Sequence, residues 1–387
     1  MKTFLRGVSP RSVWMGLVCV IMIVCLASSG FSVSVEAVSP PAIAEERLLT
    51  KMVSAYVYDK AGLSFREEDA KYLSQMNYSF ALIKNGIVTG DHWKAIDEFE
   101  AFISRNSHIV PVMAIGGWGA DGFSQAAATE NGRKAFVEST MELMDKHHFL
   151  GVDIDWEYPG SSVAGIASSS DDADNLLLLL RDLRTALDEK TSLDGKKRYL
   201  TIAVGGSKEY ADKLDCLAIA TLVDQVNVMT YDLMGSKKVT GHHAALYPSE
   251  SGYPSGDAAI QAFEAAGIPR DKLVLGAAFY GRAWRDVQSD QDNGLHQNAG
   301  TSGNKSYGYP AILNMLEKGD YTRYWDVNAS APYLFDGSTF ISYEDTQSIA
   351  AKGAYAKENN LLGVMFWEYG QDTTWELVKA LFTALEY

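Results

Sequence analysis

The chain has 387 residues, 47% of them hydrophobic and 21% charged, with a formal net charge of -15. That length and apolar fraction support one large domain or two smaller ones around a sizeable core, and exclude disorder as the main state. So acidic a body makes nucleic acid and anionic membrane surfaces poor partners and favours a neutral or cationic one, although acidity alone also keeps a chain soluble.

At the start of the chain, Lys2, Arg6 and Arg11 precede an apolar run over residues 13–26, and a small-residue site, Val35-Glu36-Ala37, follows. This is the order of a secretory signal, and the run is short for a spanning helix. Residues 1–37 are therefore expected to be a signal peptide cleaved after Ala37, with an uncleaved anchor as the alternative. Residues 38–47 read as a short linker and 48–387 as the folded body, placed outside the cell with no membrane attachment after cleavage. Cys19 and Cys25 lack the flanking residues of a lipoprotein site and would leave with the leader. Cys216 would then remain alone, and one thiol forms no internal disulfide, so stability must come from a large core.

Apolar, β-branched runs alternate with helical stretches through the rest of the chain. Strands are expected near residues 52–58, 78–82, 108–115, 151–156, 199–204, 226–229, 273–277 and 363–366. Eight such runs interleaved with helices predict an α/β fold, a closed parallel (β/α)8 barrel rather than an open sheet. The clearest helix begins near Asp172, with acids in its first turn and apolar periodicity towards Leu187. About 80 residues separate the seventh and eighth strands, more than one crossover helix needs. Residues 281–343, rich in Gly, Asn, Ser and Tyr, read as a small α+β insertion on the barrel's upper rim.

The stretch "GVDIDWEYPG" at 151–160 sets Asp153, Asp155 and Glu157 at every second position of a strand. Strand side chains alternate faces, so the three acids point one way and Val152, Ile154 and Trp156 the other. In a barrel clad by helices the acids face inward, successive carboxylates on the order of 7 Å apart. Buried acids without cations are costly, and like charges drive at least one pKa upward, so a purely structural role is a poor explanation. Glu157 comes last, where the active-site face of such barrels opens, and a carboxyl of raised pKa there suits proton donation to a leaving group. Ordinary glycosidases flank the bond with two opposed carboxylates. Acids from one strand approach from one side only, so in a glycosidase the nucleophile would come from another strand or from the substrate itself.

These residues resemble the signature of family 18 glycoside hydrolases, the chitinases and their relatives. Further motifs follow in the family's order: "AIGGWG" at 114–119, "NVMTYDLMG" at 227–235, "AAFYGRAW" at 277–284 and "GVMFWEYGQD" at 363–372 are similar to those of its third, sixth, seventh and eighth strands. The segment "YWDVNASAPYLFDG" at 324–337 is similar to the later part of the family's inserted subdomain, a wall that deepens the cleft. The resemblance implies a retaining hydrolase in which the substrate's N-acetyl oxygen attacks the anomeric carbon. Glu157 would be acid and then base, Asp155 would orient the acetamido group and stabilise the oxazolinium, and Asp153 would share charge or a proton with Asp155. It also implies that the Tyr231 hydroxyl bonds the acetamido oxygen beside Asp232, that Met229 lies beneath the sugar and that Trp367 forms the floor. Tyr56, Phe80, Gly117, Trp118, Tyr158, Tyr280 and Arg282 match further cleft positions, and Trp325 is a candidate sugar platform or a core anchor of the insertion.

Two positions depart from the family pattern. Leu150 stands where a fourth acid is usual, and Ala114 where a serine hydroxyl would help hold Asp153, which is expected to lean more on Tyr56. The pairs His147-His148 and His242-His243 lack the spacing of zinc ligands, so no metal or other cofactor is implied; "GSKKVTG" at 235–241 reads as a rim loop. The expected substrate is chitin or chito-oligosaccharide, cleaved by a monomer that binds no nucleic acid. The alternatives are an N-acetylglucosaminidase acting on peptidoglycan or N-glycans, a non-catalytic chitin-binding lectin, and a structural secreted protein.

Overall fold

The computed structural model describes residues 51–386. The expected leader (1–37) and linker (38–47), with Cys19 and Cys25, lie outside the described residues. The body begins with β1 (Met52–Tyr58) and β2 (Gln75–Lys84), followed by a short return strand, β3 (Ile87–Thr89), that hairpins onto β2. Then come β4 (Val110–Gly116), β5 (Gly151–Asp155), β6 (Tyr199–Gly205), β7 (Gln225–Met229) and β8 (Leu273–Ala278). Five strands, β9 (Tyr280–Trp284), β10 (Lys305–Gly308), β11 (Thr322–Asp326), β12 (Ala331–Phe335) and β13 (Phe340–Ser342), make a separate antiparallel sheet. The chain returns through β14 (Gly363–Trp367). Parallel pairing runs β1-β14-β8-β7-β6-β5-β4-β2, and β1 also pairs with β2, so eight strands close a (β/α)8 barrel with the antiparallel sheet inserted after its seventh strand.

Two strands begin earlier than the apolar pattern predicts. Gln75 and Asn77 open β2 and Gln225 opens β7, polar residues inside the barrel that read as loop in a hydropathy pattern. They satisfy one another there: Gln75 donates to Asn77, Asn77 to Ser54 and Gln225 to Asn227. His108 falls before β4, its ring bonded to the Ala70 carbonyl. Leu150 keeps two ladder bonds, its N–H donating to the Pro111 carbonyl and its carbonyl accepting from Tyr199.

The principal apolar layer lies between barrel and helices. Val152, Ile154 and Trp156 point into it, Trp156 stacking on Phe123 with ring centroids 5.2 Å apart. The helix Asp172–Asp194 buries Leu176, Leu179, Leu180, Leu183 and Leu187, a three-to-four-residue spacing that keeps one face on the barrel. It stops at Gly195, whose left-handed φ of 74° is cheap only without a Cβ. Cys216 is buried and unpaired, its thiol pushed up to about 11 by burial. Among the described residues no helix is long and apolar enough to cross a membrane.

Candidate active site

The inner wall of β5 carries the acids. Asp153 and Asp155 are buried inside the barrel, and Glu157 lies just past the strand's end. Strand register places Ala114 on one side of Asp153 and Thr201 on the other. Tyr56 donates to one oxygen of Asp153 at 2.7 Å, while Thr201 (2.5 Å) and Asn227 (3.1 Å) donate to the other. Burial raises the Asp153 carboxyl, and these three donors offset it only in part. Tyr56 is thus one of three supports. Thr201 and Asn227 were missed in the sequence, although both alternate inward with Ala203 and Met229.

Asp155 sits one step up, raised well above the ordinary range by burial and by the charges of Glu157 and Asp153. Its Oδ1 is buried without a hydrogen-bond partner. Glu157 is raised to about 7, chiefly by burial, with Asp232 adding to the rise and a hydrogen bond from Tyr158 opposing it. A carboxyl poised there is half protonated at neutral pH and can donate or accept a proton. The following loop is tied down by Asp172, which accepts from Ser124 (2.7 Å), Ser169 N (2.8 Å) and Gly160 N (3.1 Å). Asp172 was legible only as a helix-start acid.

Aromatic rings gather above the acids. Trp367 stacks on Phe80 at 5.6 Å and meets Tyr56 at 5.9 Å and Tyr58 at 6.0 Å. Gly117, at φ 88°, faces the Phe80 ring, where a Cβ would come within 2.6 Å. The Phe80 carbonyl accepts from Trp93 and His92. Met229 packs with Tyr56 and Ala114, and Phe80, Tyr158, Tyr231 and Trp367 border that cluster. The Tyr231 hydroxyl has only the Met365 sulfur at 3.8 Å, a weak partner that leaves it available to a ligand. Tyr158 packs on Tyr210 at 4.2 Å, and Trp118, 63% exposed, meets its edge at 6.4 Å.

Asp232 has the opposite surroundings. Arg282 grips it with two hydrogen bonds, Nε to Oδ1 at 2.6 Å and Nη2 to Oδ2. Desolvation acts to raise this carboxyl, but His243 and Arg282 outweigh it and hold the group well below the usual range. Tyr280 is buried beneath Arg282, whose guanidinium lies 5.2 Å from its ring centre. Trp325 lies on β11, three strands from β9 across the inserted sheet and under the Arg323 guanidinium, so its surroundings are those of the insertion. The loop over 235–241 is bound to the insertion through Lys237, whose carbonyl accepts from Trp284, and Thr240, which donates to Gly294 O. His147 pairs with Glu100, and His242 with Asp326.

Comparison with known proteins matches residues 52–372 to the model of the glycosyl hydrolases family 18. Chitinase A1 of Niallia circulans is 38% identical over 73% of this chain, which spans 44% of that protein's length. A class V chitinase of Arabidopsis thaliana is 34% identical over 71% of this chain and 73% of its own. Among solved structures, a family 18 N-acetylglucosaminidase from Paenibacillus barengoltzii superimposes with a TM-score of 0.83 at 40% identity, covering 86% of this chain and 99% of its own.

Proposed function

This chain belongs to glycosyl hydrolase family 18, and we propose that it hydrolyses β-1,4 linkages between N-acetylglucosamine units of chitin or chito-oligosaccharides by a retaining, substrate-assisted route. Glu157 protonates the leaving oxygen while the N-acetyl oxygen of the sugar on its non-reducing side attacks the anomeric carbon. An oxazolinium forms as the glycosidic bond breaks, and Glu157, now a carboxylate, then deprotonates the water that opens it. Asp155 faces the positive charge of that intermediate, and Asp153 holds Asp155's charge or proton in check. Tyr231 offers its hydroxyl to the acetamido oxygen, Trp367 and Met229 form the floor, and Asp232 with Arg282 binds sugar hydroxyls at the rim.

One observation carries this reading: Glu157, near 7, lies above an Asp155 whose Oδ1 has no partner in the protein. The other cleft carboxylate, Asp232, is already bound by Arg282 and so is a poor nucleophile. That favours attack by the substrate. The test is a pair of matched oligosaccharides, one with the N-acetyl group on the sugar donating the scissile bond and one deacetylated there. Cleavage confined to the first supports the route, and equal cleavage of both overturns it.

A second reading, an N-acetylglucosaminidase, is favoured by the likeness to the family 18 N-acetylglucosaminidase of Paenibacillus barengoltzii. Digestion of colloidal chitin, chito-oligomers, purified cell wall and a high-mannose glycoprotein separates the two. We assign the activity to the extracellular space and to a monomer; N-terminal sequencing of the mature protein and its sedimentation test these points.

A further inference from the structure

Where two strands part, their buried backbone groups need other partners, and β8 finds them in a buried ion pair. Pairing between β7 and β8 ends with Val228 opposite Leu275. Beyond it the Gly276 carbonyl accepts from the Thr230 hydroxyl at 2.7 Å and from Lys352 Nζ at 3.1 Å, and Ala278 N donates to Glu344 Oε1 at 2.8 Å. Lys352 Nζ also donates to Glu344 Oε1 at 2.7 Å, and both side chains are only 1% exposed. Glu344 follows β13 of the insertion, and Lys352 lies on the helix Thr346–Glu358 that precedes β14.

Stability alone is a poor reason for such a pair. Desolvating two charges costs much of what their attraction returns, and apolar side chains of similar volume often hold a core as well. Glu344 adds to the cost, because its Oε2 is buried with no hydrogen-bond partner in the protein. What the pair does supply is fixed direction at two backbone groups of one strand end.

The sugar-binding residues hang from those groups. Thr230 leads directly into Tyr231 and Asp232, and Ala278 leads into Tyr280 and Arg282. Ala278 lies opposite Trp367 in the β8–β14 ladder, and Phe279 N donates to Trp367 O at 2.8 Å. Ala278 and Tyr280 share an apolar cluster that Tyr231 and Trp367 border. We propose that Lys352 and Glu344 are positioning residues that bridge the parted ends of β7 and β8 and so set the spacing of Tyr231, Arg282 and Trp367 around the N-acetylated sugar. This rests on the hydrolase reading above and adds to it two residues too buried to touch the substrate.

The test uses the full chain, with kinetics on chito-oligosaccharides well below the melting temperature. Glu344→Gln combined with Lys352→Met removes both charges together, so neither is left buried alone. It cuts the Lys352 bond to Gly276 and leaves Ala278 N an acceptor. Thr230→Val cuts the other bond to the same carbonyl and disturbs no charge. Each should raise KM about 3–10-fold. A purely structural role would lower the folded fraction, and with it the apparent kcat, but would leave KM where it was. Parental KM in the folded double variant overturns the proposal, and so does parental KM in Thr230→Val should the double variant not fold. Absence of turnover in the parent would sink the hydrolase reading and leave hydrogen exchange to decide this one. The amides of residues 231, 232 and 280–282 should then exchange several-fold faster in the variants, and parental exchange there overturns the positioning role.

Discussion

Two sets of carboxylates occupy this cleft under opposite electrostatics. Along β5, Asp153, Asp155 and Glu157 pair with no Lys, Arg or His among the described residues, and all three are pushed up. At the rim, Asp232 has Arg282 and His243 on it and is held down. The same functional group is thus prepared to keep a proton in one place and to stay ionised in the other. Burial acts to raise all four carboxyls, and only at Asp232 do neighbouring His243 and Arg282 outweigh it.

The largest effect is expected at Glu157. Glu157→Gln keeps shape but has no transferable proton, and kcat on chito-oligosaccharides should fall by about 10²–10⁴. The same variant should be more stable than the parent at alkaline pH. A carboxyl raised on folding contributes stability that is present below its unfolded pKa and lost as pH rises through about 7, roughly 3 kcal/mol in all. Thermal melts should show no gain near pH 4, a gain that grows between about 4.3 and 7, and the full gain above 7. At the rim, Arg282→Met leaves Asp232 with His243 alone, and kcat/KM should fall about 10–100-fold as charge-assisted bonds worth ~1.5–3 kcal/mol are lost. On the inner wall, Thr201→Val removes one donor from Asp153 and should cost ~1–3 kcal/mol in denaturant melts at neutral pH. The smallest change is Ala114→Ser, which places a hydroxyl beside an Asp153 that already has three donors. It should move the pH profile by no more than a few tenths of a unit, and a change of a full unit would mean that the three donors do not suffice.

Much of the fold was legible because barrel strands covered by helices are apolar runs, and the eight expected strands correspond to the eight that close the barrel. Gln75 and Gln225 escaped because the barrel's inner wall is polar where side chains bond one another. The acid ladder was legible from its period of two alone, since alternation fixes the face and the outward Val152, Ile154 and Trp156 name the covered side. The supports of Asp153 were not. Thr201 and Asn227 reach it from other strands, and which residues become neighbours depends on register that no local pattern encodes. Glu344 and Lys352 were hidden for the same reason, because their partners Gly276 and Ala278 lie on a strand that precedes the insertion.

The most direct test of the account is a carbon-13 titration of the Glu157 side-chain carboxyl in the free protein, assigned by its loss in Glu157→Gln. The expected midpoint is near 7. A midpoint in the ordinary glutamate range, about 4.3, would contradict it.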